Sequence, residues 1–283
     1  MGPTPSFGLP SGEGPSQEPA PGDRQNHHGA SAAPPVDPLH REGLEVDLLP
    51  VLQDNYIFVL RRGREAAVVD PAVAPPVIAF LERHGLELVA VLQTHHHSDH
   101  IGGTPALLRR WPGAAVIAAS ADRARIPFQT VGVEGDDRLS VLGAEVEVLA
   151  VPGHTHAHIA FHFPESGDLF CGDALFAGGC GRLFEGTPAQ LHASLARLAA
   201  LPPATRVWCA HEYTEANLRW AVAEEPGDGP ISARLAEVCQ RRAQGQPTIP
   251  SSIALERETN LMVRAATVEE LARRRRSKDH WRG

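Results

Sequence analysis

No stretch of this 283-residue sequence approaches the roughly 18 uninterrupted apolar residues that a membrane-spanning helix needs, so no membrane partner is expected. The N-terminus lacks the charged-then-apolar layout of a secretory signal. Cysteine is scarce: Cys171, Cys180, Cys209 and Cys239 are scattered and form no Cys-x-x-Cys pair. In a chain this long they read as reduced, small hydrophobes, which predicts a cytoplasmic protein. The Gly-x-Ser-x-Gly motif of a serine nucleophile is absent. Net positive charge is lacking too. The formal balance is −8 with neutral histidines, and overall charge therefore suggests no nucleic-acid partner. The local exception is the run Arg273–Arg276, with Lys278 close behind. Tyrosine occurs only twice, whereas histidine occurs 15 times, and the question becomes where those histidines sit.

Residues 1–42 hold nine prolines and six glycines, with Phe7, Leu9, Val36 and Leu39 as their only large apolar side chains beyond the initiator. That composition cannot bury enough surface to offset the entropy of ordering, and it predicts a disordered tail. From Leu44 the character changes. Runs rich in Val, Leu and aromatic residues at 44–52, 56–61 and 66–70, broken by turn residues, predict strands. A helix is expected over 75–84 with Gly85 as its C-terminal cap, followed by an apolar strand over 86–93. A second helix is expected to open at Gly102-Gly103 and run to Trp111. Further strands are expected at 114–119, 139–142, 146–151, 159–163, 169–171 and 206–210. Pro188 opens a helix with Leu191, Leu195, Leu198 and Leu201 on one face. After 210 the β signal stops. Ile231, Leu235, Val238 and Cys239 share a helical face, and 268–276 reads as helix. The organisation expected is a tail (1–42), an α+β catalytic domain (43–212) and a small helical domain (213–283).

The histidines concentrate where strands end. His95 and His97 follow the apolar strand and lie two apart, so in extended backbone both point the same way. Asp99 and His100 come as the chain turns into the next helix and can aim at a neighbouring point. His154, Asp173 and His211 each follow a further strand. Five imidazoles and two carboxylates suffice for two cations, because a carboxylate can bridge ions held roughly 3.5–4 Å apart. A histidine-rich tag would sit at a terminus in an unbroken run, and this cluster lies mid-chain between a strand and a helix. His96 is expected to point away from its neighbours, and His156 and His158 could orient ligands from behind. His84, His162 and His192 read as surface or packed residues. The arginine run reads plainly as a solvated helix face, with a nucleic-acid patch as the sharper alternative. Arg275 and Lys278 are three apart and share a face.

Thr94–His100, Gly153-His154-Thr155, Gly172-Asp173 and His211 match, in order, the ligand motifs of the metallo-β-lactamase superfamily. More narrowly the chain resembles glyoxalase II, the hydroxyacylglutathione hydrolase family, from about Leu44 onward. That likeness includes Asp54-Asn55-Tyr56, Cys180-Gly181-Arg182, Phe184–Thr187, His211–Thr214 and Arg275–Asp279. The resemblance implies a four-layer αβ/βα sandwich followed by a helical substrate-binding domain. It implies that His95, His97 and His154 hold one metal, that Asp99, His100 and His211 hold another, and that Asp173 bridges them, so that Asp99 and Asp173 serve the chemistry directly. It also implies that Arg182 and Tyr213 contact glutathione and that Arg275 and Lys278 hold its glycine carboxylate. Two divalent ions are expected, zinc first, with iron or manganese as alternatives. The implied reaction splits S-lactoylglutathione into glutathione and a 2-hydroxy acid, D-lactate, in methylglyoxal detoxification, by a monomer. A glutathione-persulfide dioxygenase and a lactonase of the same fold are the rival readings. Phe184 stands where animal members often have tyrosine. Asn260–Arg264 lacks the proline and phenylalanine usual after that asparagine, which leaves the packing there open.

Overall fold

The computed structural model describes residues 43–282, and the expected tail at 1–42 lies outside them. The strand-like runs pair in chain order. One sheet of six takes β1 (Glu45–Val51), β2 (Asn55–Arg62), β3 (Glu65–Val69), β4 (Glu87–Leu92), β5 (Ala115–Ala119) and β6 (Val131–Val133). In the second sheet, β7 (Arg138–Val141), β8 (Ala144–Ala150), β9 (Ile159–Phe163) and β10 (Asp168–Gly172) form an antiparallel meander. A small hairpin follows, β11 (Leu175–Phe176) with β12 (Gly179–Cys180). Next to β10, in parallel, lies β13 (Arg206–Cys209), and β14 (Ser251–Ser252) forms the outer edge. The helices are α1 (Ala74–His84), α2 (Ser98–Ile101), α3 (Thr104–Arg110), α4 (Pro188–Ala199), α5 (Thr214–Glu224), α6 (Gly229–Ala243), α7 (Ile253–Thr259) and α8 (Val268–His280).

The layering follows from the alternation of side chains along a strand. In β2, Phe58 and Leu60 face the core between the two sheets, whereas Ile57 and Val59 face a second core that includes Val77 and Leu81 of α1 and Leu107 of α3. A strand covered on both faces reads as a continuous apolar run, and β2 does. Local signals set the helices. The left-handed Gly85 caps α1 as expected. Thr187 and Gln190 form a reciprocal capping box across the first turn of α4, which opens on Pro188. Its Leu191, Leu195 and Leu198 are buried, each contributing about 1.5–3 kcal/mol relative to exposure.

Three features depart from the sequence reading. The helix expected from Gly102 is present as α3 but begins at Thr104, and a separate one-turn helix, α2, precedes the two glycines, which press against backbone of Pro71–Ala74 where a Cβ would not fit. Asp99 and His100 consequently lie inside a one-turn helix. The strands β6, β11, β12 and β14 are two or three residues long, too short to carry a period-two pattern. Of these, β14 lies where the β signal was expected to have stopped. The arginine run is a solvated face only at Arg273 and Arg276. Arg274 and Arg275 are buried, and Arg274 pairs with Glu225 at 2.8 Å and Glu270 at 2.7 Å. That leaves little free charge for a nucleic acid.

The helical segment is tied to the sandwich by buried polar groups. Arg234 and Glu256 pair at 2.6 Å. The Glu256 carboxylate also accepts from Gly178 N–H and Asn260 Nδ2, both at 2.8 Å. Asn260 Nδ2 further reaches the carbonyls of Phe176 at 3.1 Å and Gly179 at 2.9 Å. The β11–β12 hairpin is thereby clasped from behind. Leu261 and Met262, next to that asparagine, are fully buried, so the departure from the family's usual residues leaves a filled interior. Residues 43–282 all fall in one compact unit, and among them no helix is long and apolar enough to cross a membrane.

Candidate metal centre

The parallel pairs β3–β4, β4–β5 and β10–β13 run their carboxyl ends to a common rim, the usual place for a site in such sheets. Asp70 ends β3, His95 and His97 follow β4, Asp173 follows β10, and His211 follows β13. All seven sequence-predicted ligands meet there in two groups. His95 Nε2 lies 3.1 Å from His97 Nδ1, and His154 Nε2 lies 3.0 Å from the same atom. Asp99 Oδ2 lies 3.7 Å from His100 Nε2 and 3.6 Å from His211 Nε2. Asp173 stands between the groups. Its Oδ2 is 3.4 Å from His154 Nε2, and its Oδ1 is 3.4 Å from His100 Nε2 and 3.3 Å from His211 Nε2.

The proton positions decide whether these donor sets suit cations. His154 Nδ1 donates to the Arg182 carbonyl at 2.9 Å, His100 Nδ1 to Asp70 at 3.0 Å, and His211 Nδ1 to Asp54 at 2.8 Å. Those partners only accept, so each Nδ1 carries the proton and each Nε2 turns a lone pair inward. Thr94 Oγ1 donates to Asp70 at 2.6 Å and is therefore left to accept from His95 Nδ1 at 3.1 Å. Four lone pairs and the His97 Nδ1 thus converge without enough protons to join them. Within the second set, buried His100 Nε2 and Asp173 Oδ1 have no hydrogen-bond partner, a deficit that costs about 1–3 kcal/mol per group. The residues fit cations in both places.

Titration behaviour follows from the same crowding. Burial, then the neighbouring His100, His158 and His154, pushes His95 well below the ordinary histidine value. Burial opposes charge on His100 as well, but Asp173, Asp70 and Asp99 outweigh it and hold its pKa up at about 9. Burial would raise Asp173, yet His100, His211 and His154 hold it well below the usual carboxylate range. A proton and a cation would compete for these atoms.

Sequence reasoning missed Asp70, whose left-handed backbone (φ 47°) swings its carboxylate under both Thr94 and His100. His158 acts from behind, as expected. Its ring stacks on His95 at 4.6 Å, and its Nε2 accepts from Asp173 N–H at 3.2 Å. His96 turns away from the ligands toward Asp122, Arg125 and Glu185. His156 contributes a backbone N–H to Glu185 at 2.7 Å. Two glycines are obligatory here. Gly172 has φ 48° and lies against Thr94 and His158, and a Cβ on Gly181 would run into the Asp173 carbonyl.

The site opens into a cleft of about 430 Å³, with His154 and Asp173 at its floor and Arg182, Tyr213, Arg275 and Lys278 along its wall. The four residues expected to contact substrate are thereby brought together, from the loop after β12, from the turn after His211, and from α8. Tyr213 stacks on His211 with rings 4.8 Å apart and 6° from parallel. Arg275 is buried; it donates to the Cys180 carbonyl at 2.8 Å and to Asp279 at 2.9 Å. Lys278 is half-buried, donates to the Ala216 carbonyl at 2.9 Å, and lies 4.7 Å over the Trp281 ring. Burial, then Arg275 and Arg182, pushes its pKa down to about 8. Phe184 stands exposed at the cleft mouth, edge-on to His97 and His154.

Comparison with known proteins places these features in context. Residues 50–211 match the model of the metallo-beta-lactamase superfamily, and residues 212–281 match that of the hydroxyacylglutathione hydrolase C-terminus. A hydroxyacylglutathione hydrolase of Parasynechococcus marenigrum (strain WH8102) is 60% identical over 83% of this chain and 96% of its own length. Another, from Synechococcus sp. (strain CC9605), is 59% identical over the same shares. Among solved structures, ETHE1 from Myxococcus xanthus aligns with a TM-score of 0.63 at 27% identity, covering 84% of this chain and 92% of its own. TTHA1623, in a di-iron-bound form, aligns with a TM-score of 0.53 at 27% identity, covering 76% and 98%.

Proposed function

Because the chain belongs to the hydroxyacylglutathione hydrolase family of the metallo-β-lactamase superfamily, we propose that it hydrolyses S-lactoylglutathione to glutathione and D-lactate with two divalent cations. It is an enzyme, a hydrolase of glutathione thioesters. The finer reading assigns His95, His97 and His154 to one cation, Asp99, His100 and His211 to the other, and Asp173 to both. Zinc is the first choice. Iron is the alternative that the di-iron form of TTHA1623 supports, and manganese is a third. We take the enzyme as a monomer, and as cytoplasmic in keeping with its four free cysteines.

The observation that carries the two-cation reading is the placement of Asp173, with one oxygen toward each donor set. Bound there, the cations would supply a water acidic enough to ionise near neutral pH and would polarise the thioester carbonyl. The chain's own residues do the rest. Asp99 and Asp173 stay ionised beside their imidazoles and can accept a hydrogen bond from that water. Arg275 and Lys278 hold the glycine carboxylate of the tripeptide, while Arg182 and Tyr213 line the path from there to the floor. A contact so remote from the thioester changes little between ground and transition state, so it acts on binding. Hydrolysis of S-lactoylglutathione and metal content, measured on one sample, test the reading. Turnover with two equivalents is expected, and oxygen uptake with glutathione persulfide in place of hydrolysis would favour the dioxygenase.

A further inference from the structure

The two donor sets are backed differently. Behind the first, His95 and His154 donate to neutral acceptors, the Thr94 hydroxyl and the Arg182 carbonyl. Behind the second, His100 and His211 donate to carboxylates, Asp70 and Asp54. Asp70 also reaches Thr94 and so touches both sets. Asp54 touches only the second.

Asp54 belongs to the short turn between β1 and β2, whose neighbours all engage that same side. Asn55 Nδ2 donates to Asp99 Oδ2 at 3.2 Å and to the Asp99 carbonyl at 3.3 Å. The Asp54 carbonyl accepts from Glu212 N–H at 2.8 Å, and Tyr56 N–H donates to the Ala210 carbonyl at 2.7 Å. Tyr56 Oη donates to Glu212 at 2.6 Å. The turn is thus bolted to both sides of His211, and its Leu52 is held left-handed at φ 51°, a conformation that persists in a bulky residue only where the surroundings impose it. Asp54 also opens on a second cleft, lined by Leu52, Glu212 and Arg242 and separate from the substrate cleft. Its carboxylate does not itself line the substrate cleft, although it faces Tyr213 of that lining, so the role is read from metal release and not from turnover.

We infer that Asp54, with Asn55, is a positioning residue that sets the affinity of the second donor set alone, through the orientation and basicity of His211 and the orientation of Asp99. The inference rests on the two-cation reading above. An acceptor behind a ligating imidazole fixes its tautomer and ring angle, and a carboxylate also raises its basicity.

The test is release of Zn²⁺ from the loaded, full-length enzyme to a chromophoric chelator, read in equivalents. The unaltered enzyme should release two equivalents. In Asp54→Ala one of them should leave at roughly tenfold to 100-fold lower chelator concentration, the range for loss of an outer partner, while the other stays where it was. Asp54→Asn keeps an oxygen that can accept from His211 Nδ1 but loses the charge, so the same equivalent should shift by less. Asn55→Ala should move that equivalent again, through Asp99. Equal loosening of both equivalents in folded Asp54→Ala, or no shift in either Asp54 variant, overturns the inference and leaves the two-cation reading standing. Release of a single equivalent by the unaltered enzyme overturns that reading, and the inference with it.

Discussion

The floor of the cleft takes its residues from the carboxyl ends of strands, antiparallel β8 and β10 beside parallel β13, whereas the wall takes them from the loop after the β11–β12 hairpin, the turn before α5 and the late helix α8. At the floor four of the five imidazoles are held by a second contact, and His95, His100, His154 and His211 are all buried. On the wall Arg182 is exposed and Lys278 half-buried, and only Arg275 is enclosed. The difference teaches where each function can be altered. A floor with no slack should respond to substitution in the chemistry. A wall that meets a remote part of the substrate should respond in binding.

The largest effect tests the floor. Asp173→Ala removes the carboxylate that turns one oxygen toward each donor set, and should lower kcat by more than the roughly 100-fold that loss of an outer contact costs. Bound metal should fall with it. Full occupancy and unchanged turnover in this variant would show that the sets do not depend on a shared anion.

Next comes the clasp that holds the wall to the floor. Glu256→Ala strands Arg234, with which it forms a buried pair, and unties Gly178 and Asn260. Breaking such a pair costs about 3–5 kcal/mol, to be read from chemical denaturation. The metal content of the folded fraction should stay at its normal level, because no ligand contacts Glu256. Loss of metal in that fraction would break the distinction between the two regions.

Lys278→Ala tests the wall itself. A charge-assisted hydrogen bond contributes about 1.5–3 kcal/mol, so KM for S-lactoylglutathione should rise about tenfold or more with kcat nearly kept. A small uncharged thioester should be indifferent. Arg275→Ala is the less clean probe, because Arg275 also ties α8 to the Cys180 carbonyl, and its loss should lower stability as well as raise KM.

The smallest effect is one of pH. Lys278 has its pKa depressed to about 8, so its cationic form is complete well below that value and is lost as pH rises through it. KM should climb between pH 7 and 9 in the unaltered enzyme, and the Lys278→Ala variant should lack that climb. An identical profile in both would place the titration elsewhere.

Much of this architecture was legible in the residues. Strand-end histidines and aspartates announce themselves, because a two-residue spacing in extended chain needs no knowledge of the rest of the fold. Asp70 did not announce itself. In the sequence it reads only as the end of the strand run 66–70, and its role exists only because β3 pairs in parallel with β4 and brings Thr94 and His100 over it. The β11–β12 hairpin was hidden by its brevity and is held by Asn260 from about 80 residues away. The arginine run misled for a similar reason. Glu270 lies one turn back from Arg274 on α8, but Glu225 over Arg274 and the Cys180 carbonyl over Arg275 come from distant segments, and no local pattern says that two of four adjacent arginines will be covered.

The account turns on a floor that works only when both donor sets are filled. Titrating metal-depleted enzyme with Zn²⁺ while following S-lactoylglutathione hydrolysis tests this most directly. Activity should rise to a plateau at two equivalents per chain. A plateau at one equivalent, or activity that persists with the metal removed, would contradict it.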